Sequence, residues 1–101
     1  MKKQSKPIER ILLWERKTDN YSGCLDAFVA DNGDLEMSGF HAGDGVKDFF
    51  NREDYEYSVT VPKEYKNTVL LWLIKEKFDN DLDFKKWLDK KAIPNELDVW
   101  M

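Results

Sequence analysis

Residues 55–61, YEYSVTV, alternate strictly in polarity, and the alternation stops at a proline. In an extended chain Tyr55, Tyr57, Val59 and Val61 point one way and Glu56, Ser58 and Thr60 the other. Pro62 has no N–H to give a ladder and suits the first turn of a helix. KEYKNTVLLWLIKEKF (63–78) then takes up helical spacing, with Tyr65, Val69, Trp72 and Leu73 on one face and Leu71, Ile74 and Phe78 widening it. A period that changes from two to 3.6 at one residue commits the chain to a sheet followed directly by a helix. The spacing predicts that Trp72 and Leu73 lie in the core.

The same reading extends along the chain. Ile8 to Lys17 reads as a strand, and the unbroken ILLW at its centre places it in the sheet interior. Residues 18–23, TDNYSG, read as a turn-rich loop. CLDAFVA and DLEMSGF flank Asp31-Asn32-Gly33, and Asn-Gly between extended runs is a strong hairpin signal because both residues tolerate the positive φ of a type I′ turn. GDGVKDFF (43–50) reads as one or two helical turns after Gly45, with Val46, Phe49 and Phe50 packing down. Asp81 is placed to N-cap a second helix carrying Phe84, Trp87 and Leu88, Pro94 breaks it, and ELDVWM reads as a last strand. The expected fold is α+β: an antiparallel or mixed sheet of about five strands with two main helices packed on one face. One domain over residues 1–101 is expected, with residues 1–7 frayed.

Charge is unevenly spread. Residues 1–18 carry six Lys/Arg against two Glu, residues 26–56 carry nine Asp/Glu against two Lys/Arg, and residues 57–101 balance at eight each. A middle segment at −7 argues against direct nucleic-acid binding, where cations neutralise phosphates, and favours a basic protein partner. The single cysteine, Cys24, excludes an intrachain disulfide and paired-cysteine zinc or redox motifs. No signal peptide or membrane-length apolar run is legible, so a cytoplasmic protein is expected.

Residues 38–57 concentrate the candidate chemistry, with the chain's only histidine and five carboxylates. Asp44, Asp48 and Asp54, with His41, have the oxygen-rich composition of a divalent-metal site but no calcium-loop pattern. His41 has Ser38 and Asp44 nearby for a hydrolytic arrangement, and Cys24 as a possible cross-hairpin nucleophile. No G-x-S-x-G elbow supports the first, and a lone cysteine in an apolar run is more often packing. The expectation is therefore a protein without catalytic residues, metal or cofactor. In its place stands a binding surface: Asp44, Asp48, Glu53, Asp54 and Glu56 supply charge, and Tyr55 an aromatic anchor.

The run DNGDLEMSGFHAGDGVKDFF, then DYEYSVTVP, a leucine-rich helix, a short second helix and an I-P-x-x-x-x-x-W ending, resembles a group of small bacterial proteins. Some of these resemble cognate immunity proteins of contact-dependent or polymorphic toxin systems. The resemblance runs from about residue 10 to residue 100 and departs at His41-Ala42-Gly43-Asp44. It implies a non-catalytic inhibitor whose partner is a toxin domain, including the nuclease class. The rival readings are a small metal-dependent or hydrolytic enzyme using His41, Asp44 and Asp54, and a structural homodimer.

Overall fold

The computed structural model describes residues 6–43 and 54–99. Four strands form one antiparallel sheet in sequence order: β1 (Arg10–Thr18), β2 (Tyr21–Val29), β3 (Leu35–Gly43) and β4 (Asp54–Val61). A 3-10 turn (Lys63–Tyr65) leads into α1 (Lys66–Lys77), and α2 (Asp81–Lys90) follows. The fold is α+β. The contacts group Ile8–Lys66 into one compact unit and Asn67 onward into a second.

In the sheet unit, β2 is the most enclosed strand: Gly23 is buried and its neighbours are half-buried. The expected interior strand at ILLW is instead an edge strand, β1, exposed along its whole length. A bulge explains the misleading pattern. The register passes from Leu12 opposite Asp26 to Trp14 opposite Leu25, leaving Leu13 as the extra residue. Ile11 and Trp14 consequently share one face while Leu12 takes the other, so four apolar residues in a row arise without two-sided burial. The loop expected over residues 18–23 shrinks to Asp19 and Asn20, and Tyr21 already belongs to β2.

The hairpin at Asn32-Gly33 is present, but its loop spans residues 30–34 and is not a two-residue type I′ turn. Only Gly33 in it takes a positive φ, +95°. The Gly33 N–H donates to the Ala30 carbonyl and the Ala30 N–H to the Asp34 carbonyl, both at 2.8 Å. Asp34 does further work: its Oδ1 accepts the backbone N–H of Lys63 at 2.9 Å. The Lys66 ammonium donates to the Gly33 carbonyl at 3.0 Å. The hairpin tip is thereby tied to the residues that open the helix after Pro62.

In the helical unit, Asn80 rather than Asp81 is the N-cap of α2, accepting the Asp83 N–H through its side chain at 2.9 Å. Phe84, Trp87 and Leu88 line a cleft of about 720 Å³ with Leu70, Leu73 and Phe78 of α1 and its exit. The expected burial of Trp72 and Leu73 is not found: they are 56% and 55% exposed. The cause is visible in the sequence. Val69 to Ile74 are six apolar residues in succession, which sweep right round α1, so no single packed face can bury them all. Of the terminal strand expected at ELDVWM, residues 96–99 pair with no strand, and Trp100 and Met101 lie outside the described residues. Extended alternation needs a ladder partner to become a strand. The helical turns expected near 46–50 lie outside the described residues; so do residues 1–5 of the terminus expected to fray, while Lys6 and Pro7 are exposed.

The end of α2 offers a direct stability test. Ile93 N–H reaches back to the Leu88 carbonyl at 2.9 Å and Ala92 N–H to the Asp89 carbonyl at 3.0 Å, a Schellman closure. The left-handed residue it requires is Ala92, at φ 58°. Glycine takes that conformation without the Cβ clash that costs an L-residue ~1–2 kcal/mol. Ala92→Gly should therefore raise the unfolding free energy by about 1 kcal/mol, the strain relief exceeding the added chain entropy. Urea denaturation checks this, and an unchanged or lowered midpoint would contradict the assignment of strain to Ala92.

Candidate functional site

The ladder sorts the middle of the chain onto two faces of very different chemistry. On one face His41 stands opposite Tyr55, and Gly39 opposite Tyr57. Four aromatic rings surround the imidazole: Trp14 at 5.6 Å, Tyr21 at 5.8 Å, Tyr55 at 5.1 Å and Tyr57 at 5.4 Å between centroids. The Tyr21 hydroxyl and His41 Nδ1 share a hydrogen bond of 2.6 Å. Gly39 makes the room, since a Cβ there would run into the Cys24 carbonyl and come within 2.8 Å of the Tyr57 hydroxyl. Partial burial, reinforced by the neighbouring Tyr55, Tyr21 and Cys24, pushes the Tyr57 phenol above its ordinary pKa.

On the opposite face Cys24, Asp26, Glu36, Ser38, Phe40 and Glu56 surround a shallow groove of about 660 Å³. Ser38 stands opposite Ser58 and Asp26, so two small hydroxyl side chains form its floor. Carboxylates from three strands rim it: Asp26 from β2, Glu36 from β3 and Glu56 from β4. At its margin Arg10 of β1 donates from Nη1 to Asp26 Oδ2 at 2.6 Å. The Arg10 guanidinium carbon also lies 4.2 Å from the centroid of Phe28.

This partition separates several residues that their spacing in the sequence brings close. Ser38 and Cys24 lie on the groove face and His41 on the aromatic face, so neither forms a nucleophile–histidine pair through the sheet. Tyr55 is half-buried and stacked on His41, whereas Glu56 is exposed on the other side. Asp54 opens β4 opposite Ala42. Asp44, Asp48 and Glu53 lie outside the described residues, as does that part of the expected metal site. Among the described residues no three His, Cys, Asp or Glu side chains gather as a metal set. Asp26 and Glu36 were missed as site residues. The signal for them was the hairpin itself, because pairing outward from its loop puts Glu36 opposite Phe28 and Ser38 opposite Asp26.

Among the described residues no helix is long and apolar enough to cross a membrane. Comparison of the chain with protein families, with characterised proteins and with solved structures finds no match.

The acidity of the groove face acts on Cys24. Partial burial pushes its thiol above the ordinary pKa, and the charges of Asp26 and Glu15, which disfavour a thiolate beside them, add to the rise. Less thiolate is then present at mildly alkaline pH, so Cys24 should alkylate with iodoacetamide more slowly in the folded chain than in urea. Asp26→Asn should move the pH–rate curve of the folded chain to lower pH without bringing it to the unfolded position, because burial remains. A curve unmoved by the substitution would remove Asp26 as a cause.

Proposed function

We propose that this chain is a non-catalytic binding protein of the immunity type, which neutralises a bacterial toxin domain by presenting an acidic sheet face to a basic surface. The observation that carries the reading is the gathering of Asp26, Glu36 and Glu56, from three strands, around one groove. They are three of the nine Asp/Glu that stand against two Lys/Arg over residues 26–56. Asp44, Asp48, Glu53 and Asp54 belong to the same segment and extend the proposed surface in sequence, whereas Tyr55, expected as its aromatic anchor, stands on the other face against His41. A basic cleft such as that of a nuclease toxin would be occupied by such a face, and opposite charges would speed the encounter. In this reading the protein acts in the cytoplasm, where a toxin enters or is made, and needs no cofactor.

Co-expression supplies the test. The product of the gene immediately upstream is expressed in a heterologous bacterium with and without this chain. Growth arrest relieved by the chain, with a complex recovered from the cells, is the expected result. Glu36→Lys with Glu56→Lys should slow association by tenfold or more at low salt, on the order of what charge steering supplies, and flatten its salt dependence. Wild-type association by that variant would make the acidic face mere solvation. Arrest unrelieved by the wild-type chain would remove the upstream product as the cognate toxin.

A further inference from the structure

The groove face already holds one guanidinium of its own. Arg10 is seated twice over: against the Asp26 carboxylate at 2.6 Å and over the Phe28 ring at 4.2 Å. A planar guanidinium can stack on a ring and donate sideways to a carboxylate at once, whereas an ammonium is a compact, strongly hydrated point charge. Arg10 comes from the strand next to Phe28, directly opposite it in the ladder.

The same ingredients recur one strand further along, without the cation. Phe40 of β3 stands directly opposite Glu56 of β4, on the same face. It is 38% exposed, on a face whose other groove residues are mostly polar. The floor beside it is made of Ser38 and Ser58, small enough to leave the groove open, and Glu36 closes the far side. Among the described residues neither Glu36 nor Glu56 meets a lysine or arginine in an ion pair.

We propose that this groove is the seat of a single arginine side chain from a basic protein partner, its guanidinium laid on Phe40 and directed to Glu56. The partner class rests on the function proposed above; the preference for arginine rests on the ring and carboxylate alone. The sheet thus carries two pairings of a ring with a carboxylate on one face, one filled by its own Arg10 and one left for the partner, which gives the electrostatic encounter a fixed point of registration.

Hexa-arginine and hexa-lysine peptides, titrated into the isotope-labelled full chain at fixed ionic strength, test this directly. Hexa-arginine should bind about 3- to 10-fold more tightly, the difference a cation–π contact supplies at a part-exposed site. Amide shift changes should centre on Ser38, Phe40, Glu56 and Ser58. Phe40→Leu should abolish the preference, and Phe40→Tyr should keep it. Should Phe40→Leu disturb the amide spectrum as a whole, Ser58→Leu, which fills the floor, should abolish the preference instead. Equal binding of the two peptides, or a preference for arginine that survives both Phe40→Leu and Ser58→Leu, overturns the proposal. Toxin neutralisation is read separately by co-expression. Relief of arrest by a chain without peptide preference would discard the arginine seat and keep the immunity reading. An intact preference without relief would keep the arginine seat and remove the upstream product as its partner.

Discussion

The division of this chain into an aromatic face and an acidic face depends on the pairing of β2 with β3. Nine residues on each strand pair without a break, from Val29 opposite Leu35 to Tyr21 opposite Gly43. Side chains alternate along both strands, so a slip of one residue would move His41 and Gly39 to the groove side and bring Phe40 and Ser38 among the tyrosines. The loop at 30–34 opposes such a slip, because Gly33 supplies the one backbone conformation that closes it and Asp34 holds its far side. Neither face needs an unusual residue. Each needs its residues in phase.

Phase also determines what the histidine does. A single histidine beside serine and aspartate in the sequence invites a catalytic reading, but across a sheet the parity of two positions matters more than their separation. His41 shares parity with Gly39 and Met37 and lies opposite Tyr55, so it is embedded among rings. Ser38, three positions away, has the opposite parity and belongs to the groove. The glycine between them is where the sheet lets Tyr57 lie flat.

Much of the fold was legible in the sequence. The Tyr55–Val61 alternation, the switch at Pro62, the Asn-Gly hairpin and the Phe84–Trp87–Leu88 face all follow from local periodicity, which the backbone obeys wherever side chains decide burial. The errors arose where periodicity carries no information about partners. ILLW looks doubly buried, yet a bulge at Leu13 absorbs the break in alternation. Val69 to Ile74 look like a core stripe, but six apolar residues in a row have no single face. ELDVWM alternates, but pairing is a property of two segments and cannot be read from one. The site was half legible for the same reason: Glu56 is apparent from its own strand, whereas Asp26 and Glu36 join it only once three strands are laid in register.

Hairpin tips are ordinarily the places where a protein accepts foreign sequence, because little depends on them. The tip at residues 30–34 is different. Its carbonyl at Gly33 holds the Lys66 side chain, and its Asp34 side chain holds the backbone of Lys63. The same few atoms thus close one supersecondary element and mark where the next begins. For an engineer seeking somewhere to insert a tag or graft an epitope, this loop is already engaged by Lys63 and Lys66, and the tighter Asp19-Asn20 turn, whose contacts stay within its own hairpin and the adjoining strand end, is the freer place to cut.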